Sequence, residues 1–525
     1  MQEQAHAQPQ WAKVIDQTRC IGCHACTTAC KSENLVPLGV TRTYVKHVDV
    51  GRWPQARRAH QVTRCNQCAH APCVAACPTS AMFKRPDGIV DFDKAICIGC
   101  KACMAACPYD AIFINPEDHS AEKCNFCAHR IDVGLEPACV VVCPVEAILV
   151  GDMNDADSRV AYYVNREAVE VRRPEKETLP KLFYKGAHQA TLDPLAARRP
   201  DGDLFMWSEQ RVGSEIVNSG SPDYNNTSAA ALLAYDVPHS IPWDWRVSLY
   251  TWTKGIAAGA YLVAALMYAY GYTLATFGAG AEWANYHPWL LYSGGPLWLW
   301  VAPVLSGLFL AITGGLLIWD LEHPARFYLI FTRPQWRSWL VKGAFVIAGY
   351  SLVLALHFVA SLAGAAMPQL LLIPLGLPLA ALTAIYTAYL FAQAKARDLW
   401  QSALLPPHLF IQSLLLGSAA LLPFAVWLEP ALIVPLAWTL GATSLIHLLM
   451  VLGEVSLTHP TAHARLAVRE MTRGRYSAFF WTGIVLTLAC VFAPLIGVAA
   501  SPLALVGLAL HEHAYVQAGQ SVPLA

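Results

Sequence analysis

The stretch Cys20-Ile-Gly-Cys-His-Ala-Cys-Thr-Thr-Ala-Cys30 decides the fold of the first part of this sequence, because it spaces four cysteines as C-x2-C-x2-C-x3-C. Twelve more cysteines form three groups of the same kind, at Cys65, Cys68, Cys73 and Cys77; at Cys97, Cys100, Cys103 and Cys107; and at Cys124, Cys127, Cys139 and Cys143. Sixteen of the 17 cysteines therefore lie between residues 20 and 143.

Three kinds of chemistry use such groups. Disulfides suit small exported chains, whereas this sequence opens on a polar segment without an export signal. Zinc needs two C-x2-C pairs per ion and no third close cysteine. In ferredoxins, three cysteines on a tight loop hold one [4Fe–4S] cluster and a fourth, often followed by proline, reaches the second cluster of a pair. Because Pro78, Pro108 and Pro144 follow three of the groups, we expect four [4Fe–4S] clusters in two α+β, dicluster-ferredoxin-like modules.

The amino-acid sequence in and around these cysteine groups resembles that of a known family. Residues 20–34, followed by Cys65-Asn-Gln-Cys-Ala-His-Ala-Pro-Cys73, are similar to the four-cluster electron-transfer subunit of molybdopterin oxidoreductases such as dimethyl sulfoxide, polysulfide and tetrathionate reductases. The resemblance covers about residues 10–185. It implies that the first group pairs with the fourth and the second with the third. The implied ligand sets are Cys20/Cys23/Cys26/Cys143, Cys30/Cys124/Cys127/Cys139, Cys65/Cys68/Cys73/Cys107 and Cys77/Cys97/Cys100/Cys103.

The rest of the sequence has a different composition. Residues 241–525 contain 12 of the 37 Lys and Arg and 9 of the 37 Asp and Glu. Charged residues are 14% of the whole chain, against roughly 25% in soluble domains. Zero net charge argues against nucleic-acid binding. We therefore expect a four-cluster domain over 1–185, a Pro-, Asp-, Ser-, Asn- and Gly-rich linker over 186–240, and an all-α membrane domain over 241–525.

Hydropathy predicts about eight transmembrane helices, since a span needs about 20 apolar residues. We place them near 247–270, 295–318, 339–361, 370–392, 406–428, 431–452 and 478–499, with a shorter eighth near 503–520. Tryptophans near the proposed ends fit an interfacial belt, at Trp243, Trp245, Trp289, Trp336, Trp339, Trp400 and Trp427.

Four short sequence motifs in this half resemble those of the NrfD-like family of polysulfide reductase membrane subunits. They are Lys254-Gly-Ile-Ala-Ala-Gly-Ala-Tyr261, Asp320-Leu-Glu-His-Pro-Ala-Arg-Phe327, Tyr386-Thr-Ala-Tyr-Leu390 and Ala518-Gly-Gln-Ser-Val-Pro523. The resemblance implies exchange of electrons between an iron–sulfur subunit and quinone in the bilayer. The two parts are usually separate chains in that family, whereas here they are fused.

Charge predicts the orientation. With eight spans, the loops 319–338, 393–405 and 453–477 lie on the side of both termini, and they and their flanks carry ten Lys and Arg. The opposite loops, 271–294, 362–369, 429–430 and 500–502, carry none. Basic loops stay cytoplasmic, so the iron–sulfur domain is predicted on the cytoplasmic face of a bacterial inner membrane. Alternatively, the basic residues dock that domain or a partner.

Three polar residues are candidates for a quinone site. Lys254, inside the first span, requires a countercharge, water or a reach back to the interface, and simple snorkelling is the alternative. Asp320 closes the second span and could relay a proton or cap the turn. Tyr386 could bond a quinone carbonyl or only pack. His447 and Glu454 share a helix face and could form a proton route or an ion pair.

Haem is not expected. His357 and His447 lie near opposite ends of their spans, roughly 20 Å apart in depth, and His511 has no obvious mate. Cys20-Ile-Gly-Cys-His24 matches a covalent haem motif, but its cysteines already belong to a ferredoxin group. Cys490 fits a packed small hydrophobic residue.

These features predict an oxidoreductase subunit that passes electrons between a separate molybdopterin catalytic subunit and the membrane quinone pool. The alternatives are a subunit of a proton-translocating quinone oxidoreductase, built on Lys254, His447, Glu454 and Glu512, and a respiratory complex in which the chain meets a multihaem cytochrome. A molybdopterin domain, a nucleotide fingerprint and a flavin motif are all absent from the sequence. Substrate identity would therefore lie in the partner.

Overall fold

The computed structural model describes residues 8–51, 54–197, 231–277, 295–364 and 366–525, and statements about structure refer to these residues. Trp289, most of the loop 271–294 and residues 198–230 of the predicted linker lie outside them.

The cluster domain is built on two small sheets. The first has four strands in the order Ile148–Asp152, Trp11–Asp16, Leu182–Lys185 and Val169–Glu170, and only the central pair is parallel. The second is antiparallel, with the order Ala231–Tyr235, Thr43–Val50 and Arg57–Arg64. The far end of the predicted linker thus supplies a strand to the cluster domain.

Two hairpins and a set of short helices hold the cysteine loops. The hairpins pair Met82–Lys84 with Val90–Phe92, and Ile112–Ile114 with Ala121–Lys123. A short helix begins within or just after each cysteine loop, at Ala25–Glu33, Pro72–Ala76, Ala102–Ala106, Ala128–Ile131 and Ala138–Val141. Further helices in this domain are Arg159–Arg166, Pro174–Lys176 and Gln189–Leu192.

The second half is helical. Its long helices are α1 (Trp245–Phe277), α2 (Ala302–Trp319, preceded by a wide turn at Leu297–Val301), α3 (Trp339–Leu362), α4 (Ala366–Gln393), α5 (Leu405–Leu428), α6 (Ile433–Ser456), α7 (Ser477–Cys490) and α8 (Ala500–Gln520). Short helices join them at Pro324–Arg326, Leu329–Thr332, Asp398–Gln401, Pro430–Leu432, Ala462–Thr472, Ala493–Ile496 and Gly497–Ala499.

Six helical segments among the described residues are long and apolar enough to cross a membrane, not eight. They are Leu297–Trp319, Trp339–Leu362, Leu371–Gln393, Leu405–Leu428, Pro430–Ser456 and Ala493–Gln520. The predicted seventh span is wrong in length, because α7 has only 14 residues before the chain turns at Val491. Helix α1 is also outside the six segments found among the described residues. Large apolar side chains on these helices, such as Trp427 and Trp438, remain exposed, as lipid-facing residues would.

Small residues let α1 approach α5 closely. A Cβ added to Gly259 would lie 1.7 Å from the carbonyl oxygen of Ser413, and one added to Gly417 would lie 2.1 Å from the carbonyl carbon of Gly259. Gly314 on α2 has open space around it instead. Close backbone approach through glycine is the usual way in which helices associate where no water drives them together. This contact fixes the position of α1 and hence of Lys254.

Candidate functional site

Three of the four predicted cysteine sets each line a cavity. Cys77, Cys97, Cys100 and Cys103 surround one of about 360 Å³. Cys20, Cys23, Cys26 and Cys143 surround one of about 320 Å³, and Cys65, Cys68, Cys73 and Cys107 one of about 310 Å³. These are the same sets of four that the family resemblance implies, although their members come from loops far apart in the sequence.

The fourth set, Cys30, Cys124, Cys127 and Cys139, is also brought together. The side-chain amide of Asn34 lies 3.7 Å from the Sγ atoms of both Cys30 and Cys127. The charges of Cys124, Cys127 and Cys139 all act on the Cys30 thiol, which places the four in one neighbourhood.

Buried cations face this fourth set. Arg64 is 2% exposed, and its Nη1 donates a hydrogen bond of 2.9 Å to Cys139 Sγ. Lys13 Nζ lies 3.8 Å from the same sulfur. Burial alone would raise the pKa of Cys139, but the charges of Arg64 and Lys13 outweigh it and lower that pKa to about 7. By contrast, burial raises the pKa of Cys30 to about 12 and that of Cys26 to about 11.

These residues fit iron–sulfur clusters. Arg64 Nε and Nη2 are buried without a hydrogen-bond partner, although they sit among thiols. An unpartnered guanidinium in a protein interior is costly, and a negatively charged cluster held by thiolates would supply its partner. Backbone N–H groups also point at sulfur, from Met82 to Cys77 at 3.3 Å and from Ala147 to Cys143 at 3.2 Å. Such hydrogen bonds tune the potential of a cluster.

The Cys97–Cys100 loop contacts the membrane half directly. Trp243 Nε1 donates to the carbonyl of Cys100 at 3.2 Å, and Arg326 donates to the carbonyl of Cys97 at 2.9 Å. Gly99 between them has a φ of +68°, and a Cβ there would lie 2.4 Å from Cβ of Glu322. Glycine is therefore required at this point by both the backbone conformation and the contact.

One of the ten basic residues used to predict orientation has a structural role at this contact, because Arg326 bonds the Cys97 loop. Arg397 is 2% exposed and donates to the carbonyl of Gln520 at 2.7 Å, within the membrane half. The docking alternative thus accounts for Arg326, which does not count toward a cytoplasmic assignment.

Lys254 does not snorkel to an interface. It is 1% exposed, and its Nζ donates to the carbonyl of Ala384 and to Thr387 Oγ1 on α4, each at 2.8 Å. The ammonium lies 5.1 Å from the centre of the Tyr386 ring. The structure thus brings two of the three predicted site residues together.

Asp320 lies apart from this pair. Its Oδ1 is 3.5 Å from Lys101 Nζ of the cluster domain and 3.6 Å from Arg246 Nη2. Burial raises the pKa of Asp320 to about 6, against the opposing effect of the two cations. A carboxyl group poised near neutrality, close to the Cys100 loop, is suited to taking up and releasing protons.

Residues that had no place in the predicted quinone site complete the neighbourhood of Lys254. Glu512, on α8, feels the charge of Lys254 and accepts hydrogen bonds from Thr251 and Gln412. Lys254, Glu512 and Gln412 line a cavity of about 200 Å³ between α1, α4, α5 and α8. The sequence suggests Glu512 only as part of a proton-translocating subunit. It does not identify Gln412, because a polar residue in an apolar run does not show which residues lie beside it in the fold.

Tyr250 links this neighbourhood to Asp320. It lies one helical turn before Lys254 on α1, is 2% exposed, and is within electrostatic reach of Asp320, Tyr386 and Glu512.

The membrane histidines differ from the prediction that His511 has no partner histidine. His511 does have mates, because its ring centroid is 4.8 Å from that of His447 and 5.9 Å from that of His408.

Known iron–sulfur proteins are similar to the first part of the chain. Residues 12–78 and 59–153 match two families that are each described as a 4Fe-4S dicluster domain. The chain is 43% identical over 208 residues to the B subunit of tetrathionate reductase from Salmonella typhimurium, a match that spans 38% of this chain and 80% of that protein.

Two further relatives are similar. The chain is 39% identical over 221 residues to the Putative dimethyl sulfoxide reductase iron-sulfur subunit of Halobacterium salinarum, covering 36% of this chain and 84% of the relative. It is 43% identical over 188 residues to the thiosulfate reductase electron transfer subunit PhsB of Salmonella typhi, covering 35% and 97%. The chain is thus an iron–sulfur electron-transfer subunit of the reductase type, joined to a helical membrane domain.

The helical half has its own match. Residues 236–522 match the family described as Polysulphide reductase, NrfD, and this range contains Lys254, Asp320, Tyr386 and every helix from α1 to α8. Because that match spans more than half of the 525 residues, the protein belongs to the NrfD polysulphide reductase family, with 4Fe-4S dicluster domains fused in front.

Proposed function

We propose that this protein passes electrons between a molybdopterin catalytic subunit and the membrane quinone pool through four [4Fe–4S] clusters. The clusters would be held by the four cysteine sets above and would supply one-electron transfer. The observation that carries the proposal is the contact of the Cys97–Cys100 loop with Trp243 and Arg326, because it brings one cysteine set against the membrane domain.

The other end of the path would face the catalytic subunit. Large apolar side chains are exposed around the first and fourth cysteine groups, with Leu35 86% and Leu38 87% exposed. Ile21 and Val133 nearby are also exposed, and Cys23 itself is at the surface. Exposed apolar patches of this kind mark protein–protein contacts. The named relatives are iron–sulfur or electron-transfer subunits of reductases, which supports a partner that holds the substrate.

The quinone head group would react beside Lys254 and Tyr386. The buried ammonium can donate to a quinone oxygen, and the Tyr386 hydroxyl is buried without a hydrogen-bond partner. Only the reacting oxygen of the head group needs to enter the cavity that Lys254, Glu512 and Gln412 line. The tail would remain among the lipid-facing helices.

Protons for quinone chemistry would enter from the side of the cluster domain. Asp320 stands at that boundary with a pKa near neutrality, and Tyr250 is within electrostatic reach of both Asp320 and Glu512. A hydroxyl group both accepts and donates a proton, so Tyr250 is suited to connect Asp320 to the buried pair.

The test is Lys254→Met in the full chain, purified in detergent under anaerobic conditions. A quinol should reduce the clusters of the wild type, followed by electron paramagnetic resonance, and should reduce those of the variant at least 100-fold more slowly. Dithionite should reduce both proteins, because it needs no quinone site. Lys342→Met, which removes a lysine that packs on Trp339 on α3, is the matched control and should behave as the wild type.

Normal reduction of the Lys254→Met protein by quinol would contradict this site. If Lys254→Met does not accumulate, Tyr386→Phe replaces it, because that change removes only an unpartnered hydroxyl group. The phenylalanine variant should keep its fold and raise the quinol concentration needed for half-maximal rate.

We also propose that the cluster domain is cytoplasmic, on the basis of the basic residues other than Arg326 in the three loops. The C-terminus is a poor site for a reporter, since Leu524 and Ala525 are buried and Arg172 bonds the Leu524 carbonyl. Protease should instead digest the cluster domain in inverted membrane vesicles and leave it intact in spheroplasts. Digestion in spheroplasts would contradict the proposal, because it would show that the cluster domain lies on the outer face of the membrane.

A further inference from the structure

Three buried histidines from three helices meet inside the membrane half. They are His408 on α5, His447 on α6 and His511 on α8, and they are 4%, 0% and 1% exposed. One ring nitrogen from each lies within 4.8 Å of those from the other two. We infer that His408, His447 and His511 form a binding site for a divalent first-row transition-metal ion such as Zn²⁺ or Cu²⁺.

The positions of the ring nitrogens favour a shared ion. His408 Nε2 is 2.8 Å from His447 Nδ1, whereas tetrahedral coordination at about 2.0–2.1 Å would separate two such nitrogens by roughly 3.3 Å. A shift of about half an ångström, within the reach of side-chain rotation, therefore converts the hydrogen-bonded pair into two ligands.

The hydrogen-bonding capacity of the three rings is not used up by the protein. His511 Nδ1 is buried without a partner beside the His408–His447 pair. Buried polar groups are almost always paired, so this unpaired imidazole nitrogen points to a missing ligand. Imidazole is a ligand that zinc, copper and nickel share, whereas the oxygen-seeking ions Mg²⁺ and Ca²⁺ would choose another site.

The surroundings can offset the charge of a dication. Glu512 is the next residue after His511 on α8, and Glu454 lies two helical turns after His447 on α6, bonded to Tyr515. Both carboxyl groups are buried, at 4% and 7% exposed. Acidic residues on the helices that carry His447 and His511 make this part of the membrane half more suitable for a cation than lipid or an apolar core would be.

The geometry does not suit a haem between these rings. The direct hydrogen bond between His408 and His447 leaves no slot for a macrocycle, and the His447 and His511 rings meet edge to face at 88°. Three imidazoles also leave one coordination position open for water or another ligand. None of the three histidines belongs to the proposed quinone site, although Glu512 borders both sites.

The experiment is metal analysis of the full chain purified in detergent and dialysed against a chelator. We expect about one zinc or copper per chain beyond the cluster iron. The double variant His447→Asn/His511→Asn should lose at least 90% of that metal and keep its iron. His357→Asn is the matched control: it is another fully buried membrane histidine, packed on Trp298 and Tyr261, and it should keep the metal.

A second measurement covers the case in which the ion is lost during purification. Cu²⁺ added to the oxidised wild type should give an electron paramagnetic resonance signal with splitting from bound nitrogen, and the single variant His511→Asn should weaken it at least tenfold. Wild-type protein that neither retains nor binds either ion, or a double variant that retains it, would overturn the proposal.

Discussion

The cluster domain and the membrane domain differ in how closely their site residues are spaced in the sequence. In the first, sulfur ligands lie in four short stretches, and buried cations such as Arg64 and Lys13 surround one set. In the second, Lys254 reaches residues on α4 and α8 that are more than 100 positions away in the sequence. The contrast teaches that local spacing reveals the ligands of a site, whereas the charges that stabilise the site come from distant parts of the chain.

One cysteine from each region gives the strongest test of this contrast. Cys100→Ser should abolish quinol-linked reduction of the clusters and lower iron from about 16 to about 12 per chain, because four ligands hold each cubane. Cys490→Ser should change neither, since Cys490 is fully buried on α7 and its thiol bonds only the carbonyl groups of Leu486 and Ala500. Iron and sulfide analysis with paramagnetic resonance would measure both.

Equal iron in the Cys100→Ser protein and the wild type would refute the assigned ligand set. Zinc near four per chain without sulfide would refute the clusters themselves.

The second prediction removes the countercharge rather than the ligand. Arg64→Met should lower the reduction potential of the cluster held by Cys139 by roughly 60–120 mV, since a lost attraction of about 1.4–3 kcal/mol corresponds to that shift for one electron. Arg64→Lys should keep most of the potential. Redox titration followed by paramagnetic resonance checks both, and an unchanged potential in Arg64→Met would show that Arg64 only packs.

The third prediction concerns the packing that positions Lys254. Gly259→Ala should destabilise the membrane domain by about 3 kcal/mol or more, because the added methyl group meets the backbone of Ser413 at 1.7 Å and the two helices must separate. Gly314→Ala on α2 has open space and should be neutral or slightly stabilising. The midpoints of thermal unfolding in detergent compare the two, and equal midpoints would contradict the close approach of α1 to α5.

These cases explain how much the sequence could predict. The two dicluster modules, the hairpins and the helical second half follow from local signals, namely cysteine spacing, turn residues and runs of apolar residues. The count of eight spans failed at α7, because hydropathy continues past Val491 while the backbone turns there. A turn inside an apolar segment depends on packing against neighbouring helices, which one sequence does not show.

The residues of the candidate site also fall into two kinds, those that the sequence identifies and those that only helix packing brings together. Lys254 was identifiable because a cation in an apolar run is unusual, and Tyr386 because it lies in a family phrase. Glu512, Gln412 and Tyr250 join them only through the packing of α1, α5 and α8. His408 was missed for the same reason: a single histidine at the start of α5 has no sequence partner until α6 and α8 fold beside it.

The smallest expected effect is a change of stability with pH that depends on His239. This residue lies where the cluster domain and the membrane domain meet. Its Nδ1 bonds the carboxylate of Asp110, its Nε2 lies 3.2 Å from Asp236 Oδ1, and the Tyr44 ring is 5.9 Å away. Burial alone would lower the pKa of His239, but the two carboxylates outweigh it and raise that pKa to about 9.

Because the folded-state pKa lies above the unfolded value of about 6.5, the stabilisation from protonated His239 is fully present below about pH 6.5 and is lost as the pH rises through 9. We expect a loss of at most about 2 kcal/mol between pH 7 and pH 9. The midpoint of thermal unfolding should therefore fall across this window in the wild type and fall less in His239→Gln. His129→Gln, which alters an exposed histidine bonded to Glu33, should keep the wild-type slope, and an unchanged slope in His239→Gln would mean that the Asp110–His239–Asp236 contact does not titrate with folding.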